Sequence, residues 1–233
     1  MRNWFTSDSH INHSNIIKFQ RHEFKDVNEM NDTLIREWNN VVEPDDTVYH
    51  LGDFAFGNRP EQWVPLLNGN KHLILGNHDY HNIKRYVAAD LSTNPKEAHK
   101  LLGVHSQMFV SMQNFREIFI QDKDAYKGRQ HITLCHFALR VWNQSHRGSW
   151  HVYGHSHSSL DEPDHMLSMD VGVDAAKKRL GCYRPFSYEE VKEVMMTRTW
   201  KPVDGHGTAV SMDLRSVEQS PDGTRDFEKD KEL

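Results

Sequence analysis

Three observations predict an α/β fold with one polar site built at strand ends. Short runs of apolar, β-branched or aromatic residues recur along the chain, each closed by Gly, Asn, Asp or His. Segments with helical apolar spacing and capping residues fill the intervals between them. Five of the runs end in clusters of carboxylate, imidazole and amide side chains, and strand ends are where α/β proteins build ligand sites.

In chain order, Trp4-Phe5-Thr6 is the first such run and leads into Asp8-Ser9-His10. Asp26, with Glu29 three residues on, makes a capping-box-like helix start, after which Met30, Leu34, Trp38 and Val41 share one face. Thr47 to Leu51 reads as the next strand and ends in Gly52-Asp53. Pro60 opens a short helix that Gly69 closes and Pro65 bends. His72 to Leu75 leads to Gly76-Asn77-His78-Asp79. The stretch from about Asn82 to Gly103 reads as helical or irregular, and Phe115 to Ile120 as a further strand. His131 to Cys135 runs into His136, and Trp150 to Tyr153 into Gly154-His155-Ser156-His157. Ser187 and Glu190 repeat the capping box ahead of Val191, Val194 and Met195. From Pro202 the sequence is polar and lacks apolar periodicity, so one domain is expected over 1–201 and a mobile tail over 202–233.

A chain of 233 residues with 37% apolar and 26% charged residues buries a full core as one domain. Its net charge of -5 argues against tight binding of duplex nucleic acid by phosphate neutralisation. Cys135 and Cys182 form no metal-type or redox-type pair, and Cys135, inside an apolar run, is expected to be a buried free thiol. With neither a secretory leader nor an apolar run of about 20 residues, a soluble cytoplasmic protein is expected, without membrane contact.

The polar clusters have the composition of a metal centre. Residues two apart in an extended segment face one side, so Asp8 and His10 are expected to grip one ion together, and His155 and His157 to converge on the same site. Asp53 can bridge two cations, Asn77 offers a carbonyl oxygen and His136 an imidazole nitrogen. Nitrogen and oxygen donors without thiolate suit manganese, iron, zinc, cobalt or nickel.

With Asp-x-His, Gly-Asp, Gly-Asn-His-Asp, His and Gly-His-x-His in this order, the chain resembles the calcineurin-like metallophosphoesterases from Trp4 to about Val191. The continuations His13-Ser14-Asn15-Ile16-Ile17 and Phe137 to Trp142 are similar to its compact prokaryotic and phage-type branch, with Asn12 where Gly is usual. Asn tolerates the left-handed backbone such a loop needs. The resemblance implies two mixed β-sheets packed face to face with helices outside, a four-layer sandwich. It implies two divalent ions, manganese foremost: one on Asp8, His10, Asp53 and His157, the other on Asp53, Asn77, His136 and His155. It also implies that His78 protonates the leaving group as a metal-bridged hydroxide attacks phosphorus in line. The downstream Asp-Arg of Ser/Thr protein phosphatases is missing after Gly52-Asp53, which argues against a phosphoprotein substrate.

The expected substrate is a small phosphodiester such as a nucleotide derivative, with a phosphomonoester or a short single strand as alternatives. From another class, a metal-binding scaffold without catalysis would take up metal and turn nothing over. Asp79 is expected to fix its loop through backbone hydrogen bonds. His13, Arg140 and His146 are weaker candidates for substrate contact, and Arg140 suits a phosphate through its planar fork or a structural ion pair equally. His22, His99, His105, His165 and His206 read as surface residues.

Overall fold

The computed structural model describes residues 1–57, 59–82 and 109–203. The expectations for the tail beyond 203, for most of the 82–103 stretch, and for His99, His105 and His206 lie outside the described residues.

Two mixed sheets form the centre. The first holds five strands in the order β4-β3-β2-β1-β9: β1 (Asn3–Thr6), β2 (Thr47–His50), β3 (Asn70–Ile74), β4 (Ser111–Gln113) and β9 (Phe186–Ser187). The strands β1 to β4 are parallel to their neighbours and β9 pairs antiparallel with β1. The second sheet runs β5-β6-β7-β8, from β5 (Phe115–Gln121) and β6 (Arg129–Cys135) to β7 (Trp150–Tyr153) and β8 (Ser168–Asp170). Here β5 pairs antiparallel with β6, while β6, β7 and β8 are parallel.

Alternation along the strands makes the layers. Trp4, Val48 and Leu73 join Met30, Leu34 and Trp38 of helix α2 (Val27–Asn39) in one apolar cluster. Their neighbours Phe5, Tyr49 and Ile74 point the other way and pack with Ile118, Ile132, Leu134 and Val152 of the second sheet. With both faces covered, the parallel strands read as nearly continuous apolar runs. Phe5, Leu73, Ile132 and Leu134 have no exposed surface, and each buried side chain of this size contributes about 1.5–3 kcal/mol.

Helix ends follow the predicted chemistry with one difference. Asp26 accepts from the Asn28 and Glu29 N–H groups, but the Glu29 carboxylate reaches back to the Lys25 N–H. The box at Ser187 and Glu190 closes in both directions and starts α5 (Tyr188–Met196). Pro60–Leu66 is a 3-10 helix with Pro65 inside it, a form that dispenses with the i→i−4 bond proline cannot make. Three further short α-helices stand among the described residues: α1 (Ile16–Phe19), α3 (Asp79–Asn82) and α4 (Val173–Leu180). The sequence reading missed α1, α3 and α4 and the strands β4, β8 and β9; these strands have two or three residues each and so show no periodicity.

The consequence for function is geometric. Because β1, β2 and β3 are parallel, Asp8, Gly52-Asp53 and Gly76-Asn77 leave the same edge of the first sheet. The parallel pair β6 and β7 likewise delivers His136 and Gly154-His155 together. A bridge between Ser7 and Gly172, and the Val173 N–H donating to the Ser7 carbonyl, join these two edges. No helix among the described residues is long and apolar enough to cross a membrane.

Candidate metal centre

Two donor groups meet between the sheet edges. Asp8, His10 and His157 place their ligand atoms within 4.8 Å of one another, and so do Asp53, His136 and His155. Asp53 stands between them: its Oδ2 is 3.7 Å from His10 Nε2 and 3.6 Å from His136 Nε2. Asn77 Oδ1 lies 3.1 Å from His136 Nε2, on the side of the second group. All seven residues expected to bind metal are thus in one cluster.

The backbone that brings them there differs from the extended geometry expected of Asp8 and His10. Strand β1 stops at Thr6, and Asp8 and His10 adopt φ of 54° and 47°. Asp53, His155 and His157 are also left-handed, at 54°, 66° and 46°. Each such turn costs a non-glycine residue about 1–2 kcal/mol. It lets a chain leaving a strand curl its side chains back over the sheet edge, where an extended course would carry them away. Asn12, at φ 66°, takes the left-handed form expected of it.

Two glycines let the carboxylates approach backbone. A Cβ on Gly76 would lie 2.2 Å from Asp53 Oδ1, and one on Gly154 would lie 2.4 Å from Asp8 Oδ2. In the space they leave, the His78 N–H donates to Asp53 Oδ1 at 2.9 Å and the His155 N–H to Asp8 Oδ2 at 2.8 Å. Each carboxylate therefore spends one oxygen on backbone and keeps the other for the cluster.

Hydrogen bonds to the far nitrogen set each ring. His136 Nδ1 lies 2.7 Å from the Leu51 carbonyl, which can only accept, so its Nε2 carries the lone pair facing Asp53 and Asn77. His157 Nδ1 donates to Asp174 at 2.7 Å, which frees its Nε2 in the same way. His10 Nδ1 is 3.1 Å from His13 Nδ1, so His13 supports a ligand ring. Asp8 Oδ1 and His10 Nε2 are buried, 3.9 Å apart, and have no hydrogen-bond partner among the described residues.

Charge follows the same arrangement. Burial pushes the Asp8 carboxyl up, but the His10 contact and the charges of His157 and His136 outweigh it and hold it at about 2. Burial depresses His10, His155 and His13, the last to about 4. Burial also opposes the charging of His157, but Asp174 and Asp8 prevail and raise its pKa.

Residues outside the motifs hold the cluster from behind. Arg21 has no exposed surface and grips both oxygens of Asp174, at 2.9 and 3.0 Å. It also donates to the carbonyls of Asp8 and Ser9, at 2.6 and 2.8 Å, and to Met30 Sδ at 3.7 Å. Asp170 accepts from the Ser158 and Gly172 N–H groups and fixes the turn after His157. His50 is buried beneath Ser9: its Nδ1 accepts from the Gly52 N–H, and its Nε2–H faces Ser9 Oγ at 2.5 Å. No local spacing announces Arg21, which meets a carboxylate 153 positions away. Asp174 sits within a mostly apolar stretch after β8, the only sequence sign it gives.

Other candidates fall out variously. His78 is 45% exposed at its side chain, with Nε2 3.9 Å from Asp53 Oδ2. Asp79 behaves as expected, accepting from the N–H groups of Asp53, Phe54 and Gly76, while burial raises its pKa to about 7. Arg140 is exposed, with no hydrogen-bond or ion-pair partner among the described residues, and His146 is half-buried in the turn Ser145–Arg147; neither belongs to the donor groups. His22 and His165 are exposed as expected. Cys135 is free but only half-buried, at the end of β6, not fully buried as expected.

Comparison with known proteins finds relatives in two phages and an archaeon. It is 32% identical over 190 residues to the Gene 66 protein of Mycobacterium phage L5, covering 74% of this chain and 86% of the relative. The chain belongs to the family of these Gene 66 proteins. The Gene 66 protein of Mycobacterium phage D29 is 37% identical over 190 residues, 74% of this chain and 87% of its own. An uncharacterized protein of Methanocaldococcus jannaschii is 46% identical over 80 residues, a third of this chain (33%) and 46% of the relative. No family model matches. A crystal structure of a protein of unknown function from Aquifex aeolicus shares the fold, with TM-score 0.50 at 22% identity over 83% of this chain and 98% of that one.

Proposed function

We propose that this Gene 66 family member is a calcineurin-like metallophosphoesterase that hydrolyses a small phosphodiester at two divalent ions. The observation that carries this reading is Asp53 Oδ2 lying 3.7 and 3.6 Å from the Nε2 atoms of His10 and His136, one from each donor group. The fit to metal rests on Asp8 Oδ1 and His10 Nε2, buried atoms without a hydrogen-bond partner among the described residues that otherwise lose hydration without return. One site would take Asp8, His10, Asp53 and His157, the other Asp53, Asn77, His136 and His155; these nitrogen and oxygen donors suit manganese, iron, zinc, cobalt or nickel, and the resemblance to the metallophosphoesterases puts manganese foremost. Two such ions, when bound, supply Lewis acidity to a phosphoryl oxygen and lower the pKa of water.

The protein's own groups do the rest. Asp8 and Asp53 are held by backbone N–H donors, and the rings of His136 and His157 by their second nitrogens, so the donors are set before substrate arrives. A water that has released one proton to solvent bonds through its oxygen to phosphorus, the P–O bond to the leaving group breaks, and the electron pair of that bond goes to the leaving-group oxygen. His78, partly exposed at the rim, gives its ring proton to the departing oxygen. Asp79 holds the loops bearing Asp53 and Gly76 in one register. Phosphomonoesters and short single strands remain alternative substrates on the same donors.

The test is manganese-dependent hydrolysis of bis-p-nitrophenyl phosphate beside p-nitrophenyl phosphate, with chelated protein and His78→Ala in parallel. Turnover lost on chelation and lowered about 10²–10⁴-fold in the variant is expected. Bound metal without turnover on either ester, or full activity in the variant, would overturn it.

A further inference from the structure

Two phenylalanines border the donor groups in different states. Phe56 is half-buried and lies face to face on His13, with centroids 4.0 Å apart and planes 10° from parallel. It also packs on His10 and His78, so it is part of the wall. Phe137, directly after His136, is 46% exposed. It meets His155 at 4.8 Å and His136 at 5.0 Å, with planes 63° and 77° apart, and among the described residues no ring lies parallel to it.

The loop that carries Phe137 is fixed from below. His151 has no exposed surface; its Nδ1–H donates to the Thr133 carbonyl at 3.1 Å, and its Nε2 accepts from the Leu139 N–H at 3.0 Å. An apolar ring held open to solvent beside charged donors exposes surface that a ligand can cover without first ordering the loop.

We propose that Phe137 is a stacking platform for the base of a nucleoside phosphodiester whose phosphate lies against Asp53, His136 and His155. The proposal rests on the phosphoesterase reading. His136 touches Phe137 on one side and reaches Asp53 with Nε2 on the other. A ring stacked on Phe137 is therefore set off from phosphorus by about the width of an imidazole. A pentose fills that offset; a phenyl group esterified directly to the phosphate does not. Stacking also suits a chain with net charge -5, because base–aromatic contact holds a nucleotide without a basic surface.

The experiment compares two diesters that release the same leaving group, thymidine 5′-(p-nitrophenyl) phosphate and methyl p-nitrophenyl phosphate, with the manganese-loaded full chain. The thymidine ester is expected to have kcat/KM at least about tenfold higher, the gain residing in KM; Phe137→Ala collapses that ratio about tenfold and Phe137→Trp keeps it. A wild-type ratio near one, or a ratio unchanged in Phe137→Ala, overturns the platform. Calorimetric binding of thymidine 5′-monophosphate to the same proteins separates the two readings. Affinity about tenfold weaker in Phe137→Ala with no turnover by any protein supports the platform and sinks the hydrolase reading. Equal affinity with turnover intact does the reverse. Manganese content is measured on each variant, and its loss in both Phe137→Ala and Phe137→Trp assigns Phe137 to metal-site packing and overturns the proposal.

Discussion

Replacing Arg21 by Met isolates what the buried guanidinium does. The side chain has no exposed surface and makes two bonds to Asp174 and one each to the Asp8 and Ser9 carbonyls. Methionine fills much of the volume but leaves Asp174, 11% exposed at its side chain, with His157 as its partner in place of the guanidinium. Breaking a buried pair from one side costs about 3–5 kcal/mol, and an orphaned carbonyl adds about 1 kcal/mol or more. A loss of about 5 kcal/mol is expected, set against a total stability of about 5–15 kcal/mol. The assay is urea unfolding of chelated protein, so that metal binding does not enter, with Arg21→Met, Asp174→Leu and the double variant in one cycle. The double variant should be less destabilised than the two singles combined by about 2 kcal/mol, because it removes both buried charges. A single-variant cost under about 1 kcal/mol, or strict additivity, would refute the claim that the pair acts as one buried unit.

Three further outcomes follow from the same geometry. Gly154→Ala puts a methyl 2.0 Å from Ser7 Oγ and 2.4 Å from Asp8 Oδ2, so Asp8 must move; bound manganese should fall below the wild-type stoichiometry by metal analysis, and retention of full metal would show that the turn yields instead. Asp53→Asn removes the carboxylate shared by both donor groups, and the stabilisation expected at a free metal concentration of 100 Kd, about 2.7 kcal/mol per site, should shrink in a thermal scan with and without manganese. His151 titrates near 4 in the folded state because burial disfavours its charge, against an ordinary 6.5. The unfolded chain thus binds the extra proton between these values, and stability falls as pH drops from 6.5 towards 4. Relative to His151→Gln, the wild type should lose about 1.4 kcal/mol more per pH unit there; parallel pH profiles of urea midpoints would contradict it.

The motif residues and the runs before them were legible because both signals are local. Five runs written by apolar and β-branched residues became β1, β2, β3, β6 and β7, and the caps at Asp26 and Ser187 started α2 and α5. All seven expected donors and His78 lie in one cluster, since a polar residue closing a buried strand has only the strand end to occupy. Tertiary structure alone decided the rest. It set the parallel pairing that puts the ends on one edge, and the left-handed turns at Asp8, His10, Asp53, His155 and His157 that aim the donors inward. It also chose Arg21 and Asp174 as the support, and left Phe137 open while Phe56 closed on His13. Local spacing records which groups a segment offers; which of them meet depends on contacts between residues far apart in the chain, and those exist only after the sheets have packed.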